Sequence, residues 1–251
     1  MNLEVTAEVA SVLLVFARIG AALMVLPVFG EGYVLARARL FVALALALML
    51  TPVLRPGLPL ISDFDARFAA LVVGEVVHGL FIGSFVRLGI TALSVAGTAF
   101  AMQMGFGAAN FFNPNAGAQT AVTGNLLTAA GLMTLLVLDG HHAMLAGLVA
   151  SYDALPVAGG VATGEMAAAM ARGSGDAVIL GVQMAMPITI AAVVLYGVLG
   201  MMSRLVPTLQ VMFVAIPVQI LLGLAVLGLS LGAIVEVYAR FTADLVTQLG
   251  A

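Results

Sequence analysis

Apolar residues run along this chain in blocks long enough to cross a bilayer, which takes about 20 residues of helix, and polar residues gather between the blocks. The first block spans about Val9 to Phe29, holds one charge, Arg18, and ends at the breaker Pro27. A connection carrying Glu31, Arg37 and Arg39 leads to a second block, Leu40 to Leu54, stopped by Pro52, Pro56 and Pro59. The third begins near Phe68, after Asp63, Asp65 and Arg67, and contains Glu75, His78 and Arg87. From Leu88 to Leu138, 51 positions, no charged residue occurs. That is more than twice the hydrocarbon thickness as straight helix, so the run must turn back. The turn is expected at Gly105 to Gln119, where three Gly, three Asn, three Phe and Pro114 oppose a regular helix. Leu126 to Leu138 then supplies another helix, and Ala143 to Ala150 is too short to span alone.

Residues 151–176 form the one sizeable polar stretch, with a turn at Pro156 and Gly159-Gly160 and a short interfacial helix at Gly164 to Arg172. Between Ala177 and Val235 the only charge is Arg204, which separates two further spans that Pro187, Pro207 and Pro217 must kink or interrupt. The expected fold class is therefore all-α: a polytopic membrane protein, residues 1–251 forming one domain, with about six long apolar helices, some kinked or broken. Basic residues are shared evenly between successive loops, so the positive-inside rule sets no orientation.

Composition sharpens this reading. Of 251 residues, 63% are hydrophobic and 8% charged, and mean hydropathy is +1.20. Soluble domains carry about 25% charge, so a soluble globular enzyme and a disordered chain are both excluded. Net charge is −3 without clustered cations, which excludes a nucleic-acid face. Cysteine is absent, ruling out disulfides and thiolate metal sites. Glu4 and Glu8 stand where a signal peptide would be basic, so the first block reads as a mature segment.

Charges within apolar helices are costly and invite a functional reading. Glu75 and His78 are three apart on one helix face and could share a proton or form a structural polar pair; Arg18 and Arg87 could be their counterions or reach an interface, and Arg204 is the remaining intramembrane cation. Catalytic constellations and nucleotide loops are absent from the sequence, so neither catalysis nor a cofactor is expected. Asp139, His141 and His142 suggest a metal, but adjacent helix positions point about 100° apart and further ligands are missing, so no metal site is expected either. Gly79 and Gly83, like Gly228 and Gly232, are four apart and permit close helix packing.

The uncharged segment Gly105 to Gln119 suits neither water nor bare lipid; such backbone is tolerated where it lines a cavity or lies within protein. Phe106, Phe111 and Phe112 could form an apolar constriction, with Met102 and Met104 as adaptable neighbours. The same segment could instead be a buried connector, or the broken-helix site of a proton-coupled small-molecule transporter using Glu75 and His78.

The ordered set of Arg18, Pro27, Arg37 and Arg39, Gln103-Met104-Gly105, Asn113-Pro114, Gly140-His141, Leu155-Pro156, Gly159-Gly160, Pro187, and Arg204, Pro207, Leu209 and Pro217 resembles the FliR family, flagellar export-gate membrane proteins related to the T component of injectisome type III secretion. One departure is Asn113, where that family usually has Asp. The resemblance implies a channel subunit for unfolded flagellar proteins, packed as helical hairpins in a hetero-oligomeric gate with FliP and FliQ. It also implies association with FlhB and FlhA and residence in the bacterial inner membrane at the flagellar basal body. Gly105, Phe106, Gly107, Phe111, Phe112, Asn113, Pro114 and Gly117 would then belong to a plug closing the pore.

Overall fold

The computed structural model describes residues 2–59, 61, 64–105, 117–157, 159–205 and 211–249. Among these there is no strand. The helices are α1 (Asn2–Val25), α2 (Ala36–Leu54), α3 (Ala66–Gln103), α4 (Gly117–Val137), α5 (Gly140–Ala154), α6 (Thr163–Met184), α7 (Met186–Leu205) and α8 (Val211–Gln248), with one 3-10 turn at Arg55–Gly57. Among the described residues, five helices are long and apolar enough to cross a membrane, or six if α4 and α5, bent by 76° at their junction, make one broken span. The protein is an all-α polytopic membrane protein.

Several boundaries differ from expectation. Helix α1 starts at Asn2, earlier than the apolar block. It stops at Val25 because the position before Pro27 is disfavoured in helix. Val28, a β-branched residue at φ 72°, strains the turn that follows. Helix α3 runs unbroken for 38 residues, about 57 Å at 1.5 Å per residue. It ends at Gln103, and α4 begins at Gly117, so the expected turn gives up residues 117–119 to helix. The segments Ala143 to Ala150 and Gly164 to Arg172 are parts of α5 and α6, which extend past them. Pro187 sits in the first turn of α7, where its missing N–H costs nothing, and α6 stops just before it. Pro217 lies inside α8, and Pro207 lies outside the described residues.

The chain forms two compact units. The first contains residues 1–88, 135–173 and 242–251. Its core is one face of α1, with Leu14, Val15, Ile19, Ala22, Leu23 and Leu26 fully buried at the three- and four-residue spacing of a helix stripe. Helix α2 packs on α1; Ala43, Ala47 and Thr51 are its buried residues, and Phe41, Leu48, Met49 and Val53 stay exposed. The second unit contains residues 89–134 and 174–241. There Gly97 and Gly124 bring α3 and α4 together so closely that a Cβ on Gly97 would overlap the Gly124 Cα. Leu93 and Tyr238 similarly occupy the space beside Gly131. Helices α7 and α8 keep most of their apolar surface outward; only 11% of the apolar stretch of α7 is buried.

Candidate functional site

The first unit encloses a charged cluster at its centre. Arg18 lies on the buried stripe of α1 and is 0% exposed; Glu75 and His78 of α3 are each 1% exposed. A helix places positions 75, 78, 79 and 82 on one face, and the glycines on it decide how near α1 can come. A Cβ on Gly79 would collide with the Arg18 carbonyl and lie 2.9 Å from the Ala21 Cβ; one on Gly83 would lie 2.8 Å from the Ala22 carbonyl. The missing side chains let the two backbones touch, which sets the root of Arg18 directly opposite Glu75.

Arg18 grips Glu75 with two parallel bonds, Nε to Oε2 at 2.7 Å and Nη2 to Oε1 at 2.9 Å. This fork geometry is the strongest form of the pair. The remaining donors reach α5: Nη1 donates to the Ser151 carbonyl at 3.1 Å, and Nη2 to the Leu155 carbonyl at 2.7 Å. Ser151 lies in the last turn of α5 and Leu155 is its C-cap residue, at the end of the helix whose dipole favours a cation, and Pro156 prevents the helix from continuing. The guanidinium also lies 4.0 Å from the centre of the Tyr152 ring, a cation–π contact. One side chain therefore joins α1, α3 and α5.

His78 stands beside this lock. Nη2 carries two hydrogens, accepted by Glu75 and Leu155, so its 3.4 Å approach to His78 Nδ1 adds little. Glu75 Oε1 is 3.6 Å from the same nitrogen. His78 Nε2 is buried without a hydrogen-bond partner among the described residues. Arg87 does not join the cluster. It donates to the Val25 carbonyl at the end of α1 (3.0 Å) and pairs with Glu31 at 3.3 Å, half-exposed. Arg204 is exposed at the end of α7. Gly228 and Gly232 face open space among the described residues.

In the second unit, Gly105 ends α3 at φ +81°, the left-handed region that favours glycine. The Gln219 amide of α8 sits over it, with Oε1 2.6 Å from where a Cβ would be. One turn further along α8, the buried Met104 side chain fills the space above Gly223. Gln103 donates to Thr189 Oγ1 at 2.8 Å. Met102 is exposed. Gly117 starts α4, whereas Phe106, Gly107, Phe111, Phe112, Asn113 and Pro114 lie outside the described residues.

Sequence reasoning missed Ser151, Tyr152, Leu155 and Gln219. Three of these contacts use a backbone carbonyl or a ring face, which leave no charge signal. The signal at Gln219 is weak: a polar residue two positions after Pro217 in an otherwise apolar run. The structure also brings one donor atom each from Asp139, His141 and His142 within 4.8 Å of one another, closer than the spacing of neighbouring helix positions suggests. Asp139 lies outside α5 in a left-handed conformation, φ 55°, which accounts for the position of its carboxylate; His141 and His142 are both within α5.

The sequence profile described as "Bacterial export proteins, family 1" matches residues 9–245. The flagellar biosynthetic protein FliR of Caulobacter vibrioides is 35% identical over 239 residues, 95% of each chain. FliR of Pectobacterium carotovorum is 30% identical, covering 94% of this chain and 92% of its own length. The Yop proteins translocation protein T of Yersinia pestis is 29% identical over 82% of this chain and 80% of its own. With its apolar helices, small-residue crossings and near end-to-end match, this chain belongs to the bacterial export proteins, family 1.

Proposed function

We propose that this chain is a FliR-type wall subunit of a flagellar type III export gate, a non-enzymatic part of the conduit for unfolded flagellar proteins. The observation that carries this reading beyond family membership is the uncovered apolar surface of α2, α7 and α8, including Phe41, Met49, Ile190, Val194, Leu221 and Leu229. Faces this apolar need lipid or other helices against them. FliP and FliQ are the expected neighbours, with FlhB and FlhA associating, in the inner membrane at the flagellar basal body. Gly228 and Gly232, open among the described residues, would let a neighbouring helix approach closely.

Within such a subunit, Gly105 and Gly117 bracket the aromatic segment assigned to the plug, with Phe106, Phe111 and Phe112 as its seal and Gly107, Asn113 and Pro114 shaping its backbone. The Arg18–Glu75 lock holds the helices of the first unit together. The transporter alternative has less support: both Glu75 oxygens are engaged by Arg18, which suits a fixed strut more than a proton carrier.

Purification in mild detergent should recover the chain with FliP and FliQ, and deleting residues 106–116 should raise ion leak through the assembled complex. Unchanged leak in an intact complex would overturn the plug. Proton-coupled uptake by the chain alone in liposomes would favour the transporter.

A further inference from the structure

We infer that the corner between α4 and α5 is a divalent transition-metal site, with Asp139, His141 and His142 as protein ligands. Asp139 holds the N-cap position of α5: its carbonyl accepts from the His142 amide at 2.9 Å and the Ala143 amide at 3.4 Å. An Asp there ordinarily accepts a backbone N–H with its side chain, but this carboxylate makes no such bond. It turns instead toward His142, with Oδ1 3.4 Å from Nδ1. The two imidazoles stand 4.1 Å apart, tilted by 38°, and a donor atom from each of the three residues lies within 4.8 Å of the others. Asp139 and His142 are open to ligands from outside, while His141 keeps its Nδ1 buried without a partner among the described residues.

The backbone fixes this arrangement. A Cβ on Gly140 would lie 3.1 Å from the Leu135 carbonyl, so the tight approach between the ends of the two helices favours glycine. Asp139 at φ 55° then swings its carboxylate back over the start of α5. Two imidazoles and a carboxylate are a ligand set for zinc, cobalt or nickel, and they exclude magnesium and calcium, which want oxygen alone. Three protein ligands leave coordination positions to water or to a group from a neighbouring subunit. The positive end of the α5 dipole opposes a cation, and the Asp139 charge offsets it. The bound ion would clip the corner, holding the first turn of α5 to the residue that precedes it.

The site does not depend on the export reading and can be tested apart from it. The full chain, in detergent with its co-purifying partners and carrying an affinity tag free of histidine, is titrated with Co²⁺. We expect visible ligand-field bands at one ion per chain, abolished by Zn²⁺. D139N and H142Q should each weaken binding at least about ten-fold, a loss that even outer-shell partners cause. H78Q, remote and buried, should leave the titration unchanged. D139N, nearly isosteric, keeps the test valid if H142Q fails to fold. Absence of bands, or binding that neither D139N nor H142Q weakens, would overturn the site.

Discussion

Replacing Arg18 by Met tests the lock at the centre of the first unit. Glu75 is 1% exposed and takes both of its bonds from Arg18, so R18M leaves a buried carboxylate without its cation, at about 3–5 kcal/mol. The Ser151 carbonyl keeps the Leu155 amide at 2.8 Å, but the Leu155 carbonyl loses its Arg18 donor, which adds about 1–3 kcal/mol. The sum, about 4–8 kcal/mol, is comparable with the whole stability of a typical domain, about 5–15 kcal/mol. E75L strands the guanidinium instead and should cost a similar amount. The double variant R18M/E75L removes both charges and leaves only the carbonyl unmet, so it should be more stable than either single variant by about 3 kcal/mol. The assay is urea unfolding in detergent followed by far-ultraviolet circular dichroism, because the chain has no Trp to report by fluorescence. If the two single effects simply add in the double variant, the charges are not coupled and the lock is refuted.

Other contacts give sharper or smaller effects. G79V drives two branched methyls toward the Arg18 carbonyl, and separating α1 from α3 should abolish stable assembly; normal co-purification would show that the crossing is not tight. G105A places a Cβ on the Gln219 amide at a left-handed position. It should lower thermal stability by about 1–2 kcal/mol, and Q219A should restore part of this in the double variant. No recovery would mean that the amide does not set the end of α3. R55A breaks the exposed pair with Glu8 at 3.0 Å and should shift stability by less than about 1 kcal/mol; a larger loss in the same unfolding assay would contradict the solvent screening assumed there.

Fold class was legible because apolar blocks between Pro and charge clusters are a strong signal, and Pro27 and Pro187 marked real helix ends. Boundaries drifted where residues tolerate helix without being apolar, as at Asn2 and at Gly164 to Arg172. The cluster was legible in part: Glu75 and His78 announced themselves as charges in an apolar helix, but two arginines were equally available, and only the close crossing at Gly79 and Gly83 selects Arg18. Gly228 and Gly232 carry the same spacing but meet nothing among the described residues, because spacing permits an approach without supplying a neighbour. At Asp139, a left-handed residue ahead of α5 brings a carboxylate up to the two histidines, a placement that an angular argument about positions 141 and 142 does not address.

The reach of Arg18 also has a consequence for how the protein is made. Its last acceptor, Leu155, lies 137 residues downstream. At about 5–20 residues per second, a translating ribosome takes roughly 7–27 s to deliver it. Glu75 follows Arg18 after 57 residues, but until Leu155 is made the guanidinium lacks its full set of acceptors, which favours waiting at the headgroup boundary over burial in hydrocarbon. Helix α1 is thus among the last of these segments to reach its final depth.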